Sequence, residues 1–341
     1  MNKDEERATR TAQVEAIRAW FVLYGELAEI KEEFKRLHQR DNSHGESAWM
    51  LLHGPSRSGK TKLMLDYVTD HPPTEGPDGD QQEVVFLKAP SACTTKTLAE
   101  EILKALGYPR SPSNHRNGSR YSDRHPRGPR LFDMMDVMVE YIQGLGVRLM
   151  FIDEVHQAAR SEQAIVDAAT MFKDIINEGD CCLVLSGTED AKVFMKSLPE
   201  LRGRMLARCE LKPFDWFDEH RRDTFLGLID GMDDQLPFEQ RSNLTSPDMA
   251  VRIHIASSGL IGEAAKLVEN AGIIAVREDA RCILPAHFAK AFQMTADDNE
   301  PNPFLEATPD PRRLEDLLRE ERPLLAPRRR GRRGDEDFWP R

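Results

Sequence analysis

Gly54-Pro55-Ser56-Arg57-Ser58-Gly59-Lys60-Thr61 matches the pattern G-x-x-x-x-G-K-[ST] at every defined position. The apolar run Ala48-Trp49-Met50-Leu51-Leu52 before it reads as a buried strand. Lys62-Leu63-Met64-Leu65-Asp66-Tyr67-Val68 after it reads as a helix with its apolar face inward. Strand, glycine-rich turn and helix together form the context in which this pattern cradles phosphates. Gly54 and Gly59 let the backbone curl so that successive N–H groups, including those of Pro55's neighbours Ser56, Arg57 and Ser58, face an anion. The helix that starts near Gly59 adds the positive end of its dipole. Lys60 is placed to reach the β and γ phosphates of a nucleoside triphosphate, and the Thr61 hydroxyl to hold Mg²⁺. A glycine turn that happens to precede a lysine is the plain alternative, and the flanking strand and helix argue against it.

A second apolar run ends in two carboxylates, Arg148-Leu149-Met150-Phe151-Ile152-Asp153-Glu154-Val155-His156. It resembles a Walker B element, and a strand buried on both faces accounts for its continuity. Its carboxyl end is where an open parallel sheet presents ligands. Asp153 is expected to take Mg²⁺ through its water shell, and Glu154 to deprotonate the water that attacks the γ-phosphate. Either acid alone could merely cap the following helix.

The rest of the chain places this pair in an α/β context. Residues 83–87 read as a strand, 95–106 as a helix closed by Gly107, and 131–142 as a helix leading to the Asp153 strand. Residues 158–176 read as another helix, and 181–185 as a strand ending in Ser186-Gly187-Thr188. Such alternation implies a parallel sheet covered by helices on both faces. One further strand is expected at 208–212. From Phe217 onward the pattern is helical, near 219–229, 247–256, 261–276 and 286–292, as in a smaller all-helical lid. Residues 1–45 are expected to supply helices that pack on the nucleotide core, 46–214 the α/β domain, 215–300 the lid, and 301–341 a disordered tail rich in Pro and Arg. Residues 71–80 read as a turn-rich loop.

The 341 residues can bury a sizeable core, and 40% hydrophobic with 31% charged residues is ordinary for a globular protein. No apolar run approaches a membrane span, no secretory h-region follows Met1, and a cytoplasmic location is expected. Cys93, Cys181, Cys182, Cys209 and Cys282 form no C-x-x-C pair, so neither a disulfide framework nor a zinc site is read. A net charge of −11 argues against coating nucleic acid with the whole surface. Local basic patches must make any DNA contact. Residues 108–130 hold Arg110, Arg116, Arg120, Arg124 and Arg127 against Asp123 alone, with Tyr121, His115 and His125 nearby, and read as a flexible basic insertion. It suits phosphate contacts, and a solvated loop without a ligand fits equally well.

Several segments carry a resemblance: Phe151-Ile152-Asp153-Glu154-Val155-His156, Phe172-Lys173-Asp174-Ile175-Ile176-Asn177-Glu178, Leu185-Ser186-Gly187-Thr188-Glu189-Asp190-Ala191, Leu198-Pro199-Glu200-Leu201-Arg202-Gly203-Arg204-Met205 and Gly259-Leu260-Ile261-Gly262-Glu263. Together they resemble the TniB/TnsC family of AAA+ ATPases that serve transposons. The resemblance implies an ATP- and Mg²⁺-dependent homo-oligomer, ring or filament, that assembles on double-stranded DNA. It also implies recruitment of a transposase and a targeting adaptor protein, with hydrolysis driving disassembly. In such families the residue at the end of the fourth strand, here Thr188, senses the γ-phosphate. An arginine beyond it serves the neighbouring subunit's ATP, Arg204 first by position, with Arg202 and Arg208 as alternates. Many relatives carry a nucleotide-sensing arginine on the lid, whereas Gly262-Glu263 stands here, with Lys266 one turn on as a substitute. The competing readings are an AAA+ replication initiator or loader and an ATP-binding signalling switch. The D-E-x-H run also occurs in helicases, but a second lobe has no room after Thr188.

Overall fold

The computed structural model describes residues 3–19, 22–40, 47–76, 79–108, 131–197, 202–296 and 301–305. The expected basic insertion at 108–130 and the expected disordered tail at 301–341 lie almost wholly outside these, but residues 301–305 correct the tail's start, since Phe304 is buried and stacks on Phe288 with centroids 5.2 Å apart. Two compact units divide the chain, one of residues 23–212, the other of residues 1–22 with 213–341.

Residues 23–212 are built on a five-stranded parallel sheet. Its strands are β1 (Trp49–His53), β4 (Val84–Lys88), β5 (Leu149–Asp153), β6 (Cys182–Gly187) and β7 (Met205–Glu210), in the order β4-β5-β6-β1-β7. β1, β5 and β6 are buried along their whole length, as their unbroken apolar sequences require of central strands. The register aligns their carboxyl ends, with His53 opposite Gly187 and Glu210, and Lys88 opposite Asp153. One edge of the sheet therefore collects every residue that follows these strands.

On one face lie α4 (Thr95–Ala105), α5 (Leu131–Gly144) and α6 (Glu162–Glu178), which bury Leu98, Ile102, Met138, Ile142, Phe172 and Ile175, with the short α7 (Val193–Ser197) packed on α6. α4 starts on a reciprocal cap in which the Thr94 hydroxyl accepts from the Thr97 N–H and the Thr97 hydroxyl from the Thr94 N–H. The other face carries α2 (Gly25–His38) and α3 (Lys60–Thr69). Phe34 of α2 is fully buried with its ring edge-on to Phe151, centroids 4.9 Å apart. Lys31 of the same helix reaches Asp66 (2.6 Å) and Asp70 (2.7 Å) on α3.

Two expectations for this unit need correction. The last strand is Met205–Glu210 and not 208–212. As an edge strand paired only with β1 it alternates in burial, so no continuous apolar run marks its start. The loop at 71–80 takes part in an antiparallel pair of strands, β2 (Thr74–Gly76) and β3 (Gly79–Gln81). Its strands are polar and three residues long, which leaves no hydrophobic period to read.

The second unit is helical: α1 (Lys3–Ala19), α8 (Glu219–Gln235), α9 (Pro247–Ser257), α10 (Ile261–Arg277) and α11 (Pro285–Gln293). Here α1 departs from the expectation that both N-terminal helices pack on the nucleotide core, since it packs on α10. Ile17 is fully buried against Gly272, where an added Cβ would lie 3.2 Å from the isoleucine Cδ1. The glycine thus allows close approach of two helices.

Candidate functional site

The phosphate-loop residues bend between β1 and α3 at the sheet's carboxyl edge. Gly54 is buried, and a Cβ there would run into the Leu211 carbonyl oxygen. Gly59, at φ 96°, occupies the left-handed region that favours glycine and caps α3. Pro55, Ser56 and Arg57 are exposed, while Ser58 is buried. The Lys60 side chain is buried and folds back along the loop. Its Nζ donates to the carbonyls of Gly54 (2.9 Å) and Pro55 (2.7 Å) and to Ser58 Oγ (3.1 Å). Burial holds the ammonium below its usual pKa, against the opposing pull of Asp153 and Glu154.

Asp153 lies at the end of β5 with both carboxylate oxygens engaged. Thr61 Oγ1 donates to Oδ2 at 2.6 Å, while Ser186 Oγ and the Glu154 N–H donate to Oδ1 at 2.9 Å each. The strand order β4-β5-β6-β1 makes this arrangement possible, because it sets Ser186 of β6 beside Asp153 and brings the start of α3, which follows β1, to the same end of the sheet. Thr61 and Asp153, a hydroxyl and a carboxylate in contact beside a buried lysine, are a hard-oxygen donor set that suits Mg²⁺.

Glu154 adopts a left-handed backbone, φ 56° and ψ 31°, uncommon for a residue with a long side chain. Its Oε1 lies 3.8 Å from Lys88 Nζ, and its Oε2 3.3 Å from His156 Nε2. The other ring nitrogen of His156, Nδ1, accepts the Thr188 N–H at 3.3 Å. The Thr188 hydroxyl is buried at the head of the turn after β6 and has no hydrogen-bond partner among the described residues. The register thus brings Lys60, Thr61, Asp153, Glu154 and Thr188 to one edge. Ser186 and Lys88 belong there too, although sequence reasoning missed them. A lone serine in the apolar run Cys182-Leu183-Val184-Leu185-Ser186 was the available signal for Ser186.

The arginines lie elsewhere. The Arg204 carbonyl accepts the Trp49 N–H (3.1 Å), which places Arg204 at the amino end of β1. Five strand residues, roughly 16 Å, separate it from the phosphate loop. Its guanidinium donates to Asn177 Oδ1 at 2.6 Å. Arg208 lies within β7, opposite Leu51, and donates to Nε2 of buried His53 at 3.1 Å. Arg202 is exposed. His53, Glu189 and Glu210 bring ligand-type atoms within 4.8 Å of one another. Arg208 occupies the histidine's Nε2 and Lys192 pairs with Glu189, so this cluster is a charge network. In the helical unit Lys266 pairs with Glu269 at 3.0 Å on an exposed face.

The family model described as "Bacterial TniB protein" matches residues 11–214, more than half of the chain. The chain belongs to the TniB family. No curated protein matches it. Among solved structures it resembles Cdc6p from Pyrobaculum aerophilum, with a TM-score of 0.56 at 14% identity over 81% of this chain and 69% of that one. It also resembles the ORC1 protein of Aeropyrum pernix, solved in complex with DNA, with a TM-score of 0.54 at 14% identity over 89% and 84%. The ORC2 protein of the same organism, in its ADPNP–ADP complexes, matches with a TM-score of 0.54 at 14% identity over 79% and 68%. At this identity the likeness concerns the fold alone. Among the described residues no helix is long and apolar enough to cross a membrane.

Proposed function

We propose that this TniB-family chain is an ATPase that regulates transposition. ATP-bound subunits assemble on double-stranded DNA, recruit a transposase and a targeting adaptor protein, and come apart on hydrolysis. The observation that carries the ATPase part is the meeting of Lys60, Thr61, Asp153, Glu154 and Thr188 at one sheet edge. Membership of the TniB family supports the transposition part.

The chemistry follows from these side chains. Lys60 exchanges the Gly54 and Pro55 carbonyls for the β and γ phosphate oxygens, where its charge offsets theirs. Thr61 and, through water, Asp153 would hold Mg²⁺, which would supply positive charge to offset that of the phosphates. Ser186 and the Glu154 N–H fix the Asp153 carboxylate for that task. Glu154 takes a proton from the attacking water, and the Thr188 hydroxyl donates to the γ-phosphate. The family resemblance implies an arginine that reaches the ATP of a neighbouring subunit and so ties hydrolysis to assembly; Arg204, which lies at the amino end of β1 away from its own phosphate loop, is the first choice, with Arg202 and Arg208 as alternates.

The test is ATPase rate and sedimentation of the purified protein, with and without duplex DNA, using ATP and a non-hydrolysable analogue. Assembly that requires both triphosphate and DNA, with turnover stimulated by DNA, supports the proposal. Hydrolysis indifferent to DNA in a particle that never assembles overturns it and favours a signalling switch.

A further inference from the structure

We propose that His156 is the positioning residue that couples γ-phosphate contact at Thr188 to the orientation of Glu154. The inference rests on the reading of Glu154 as the base. His156 bridges the two residues through its own ring, with Nδ1 on the Thr188 N–H and Nε2 on Glu154 Oε2, 3.3 Å each. A main-chain N–H can only donate, so Nδ1 is an acceptor and the proton of the neutral ring resides on Nε2, the nitrogen 3.3 Å from Glu154 Oε2. The Gln157 amide nitrogen also lies 3.3 Å from Nε2, so with the ring proton on Nε2 two donors face each other there, and the Gln157 amide has to turn aside for the ring to serve Glu154.

The ring's position is built into the neighbouring strand. At Gly187 an added Cβ would lie 3.0 Å from His156 Nδ1 and 3.1 Å from the Ala191 Cβ, so the glycine makes room for the imidazole beside the end of β6. Glu154 is meanwhile gripped from both sides, by Lys88 near Oε1 and His156 near Oε2, on a left-handed backbone that fixes where the side chain leaves the chain. A displacement of the 188 peptide, as its hydroxyl engages the γ-phosphate, is passed through the ring to the carboxylate that activates water. His156 touches no reacting atom in this scheme.

The experiment measures kcat, KM and the affinity for a fluorescent non-hydrolysable ATP analogue in full-length protein carrying His156→Ala, His156→Gln, Thr188→Ala, Glu154→Gln, or His156→Ala with Thr188→Ala. His156→Ala should lower kcat about 10- to 100-fold, the scale of a misplaced catalytic group, while analogue affinity stays within about 3-fold. His156→Gln, which offers a donor near the Nε2 position, should recover part of that loss. The double variant should fall no further than the worse single one, since both act through one path.

Wild-type kcat in His156→Ala, losses that multiply in the double variant, or a loss confined to affinity overturns the coupling. An alanine variant that fails to fold leaves the glutamine variant to decide, and an unrecovered kcat in folded His156→Gln counts against the proposal. Glu154→Gln separates the two claims. If it retains turnover, the base assignment fails and the coupling with it; if it abolishes turnover while His156→Ala is unaffected, only the coupling fails.

Discussion

At the scale of single residues, two functional positions differ in what their loss removes. Lys60→Ala deletes the charge expected on the phosphates, together with the ties to Gly54, Pro55 and Ser58. Nucleotide binding should fall below detection in a fluorescence titration, with no hydrolysis left. Glu154→Gln keeps the shape and loses the proposed base. Binding should persist while turnover drops by about 100-fold or more, as loss of a general base predicts, and a single-turnover assay checks this. The lysine and the two carboxylates were legible in the sequence, because strand, glycine turn and helix are local patterns. Ser186 and Lys88 were not, since their nearness to Asp153 and Glu154 comes from strand register across the sheet.

At the scale of elements, the N-terminal helices part company. Phe34 places α2 on the sheet, whereas Ile17 places α1 on α10. Amphipathic spacing shows that a helix has an apolar face without showing which surface covers it. Ile17→Ala should destabilise the helical unit by about 2–5 kcal/mol, the cost of emptying a buried isoleucine site, and denaturant unfolding followed by circular dichroism measures it. If α1 were peripheral to that unit, the change would stay within about 0.5 kcal/mol. The α4 cap gives a milder case, with Thr94→Ala expected to cost about 1 kcal/mol.

At the scale of the whole molecule, acid sensitivity follows from buried histidines in both units. His38, His53, His254 and His287 are each held below the ordinary value of 6.5, chiefly by burial. A depressed histidine pKa means that the unfolded chain binds more protons at mildly acidic pH. Stability therefore rises with pH through that window and is lost as pH falls below about 6.5. Tm should drop between pH 7.5 and pH 5.5, and an unchanged Tm would remove these histidines as contributors. Assembly is the second property at this scale. Arg204→Ala should keep nucleotide affinity while losing ATP-dependent oligomerisation and most hydrolysis, as sedimentation and phosphate release would record. A variant that assembles and turns over like the parent would move the trans-acting role to another arginine.

The sequence by itself determined the nucleotide-binding class, the acids after the Asp153 strand and the helical character of the second unit. Each is encoded in a contiguous stretch whose spacing and residue types act locally. Tertiary structure alone decided that Thr188 meets Glu154 through His156, that Ser186 steadies Asp153, and that Arg204 lies at the opposite end of the sheet from the phosphate loop. Those relations depend on the strand order β4-β5-β6-β1-β7, which joins residues far apart in the chain, and no local period specifies which strands become neighbours.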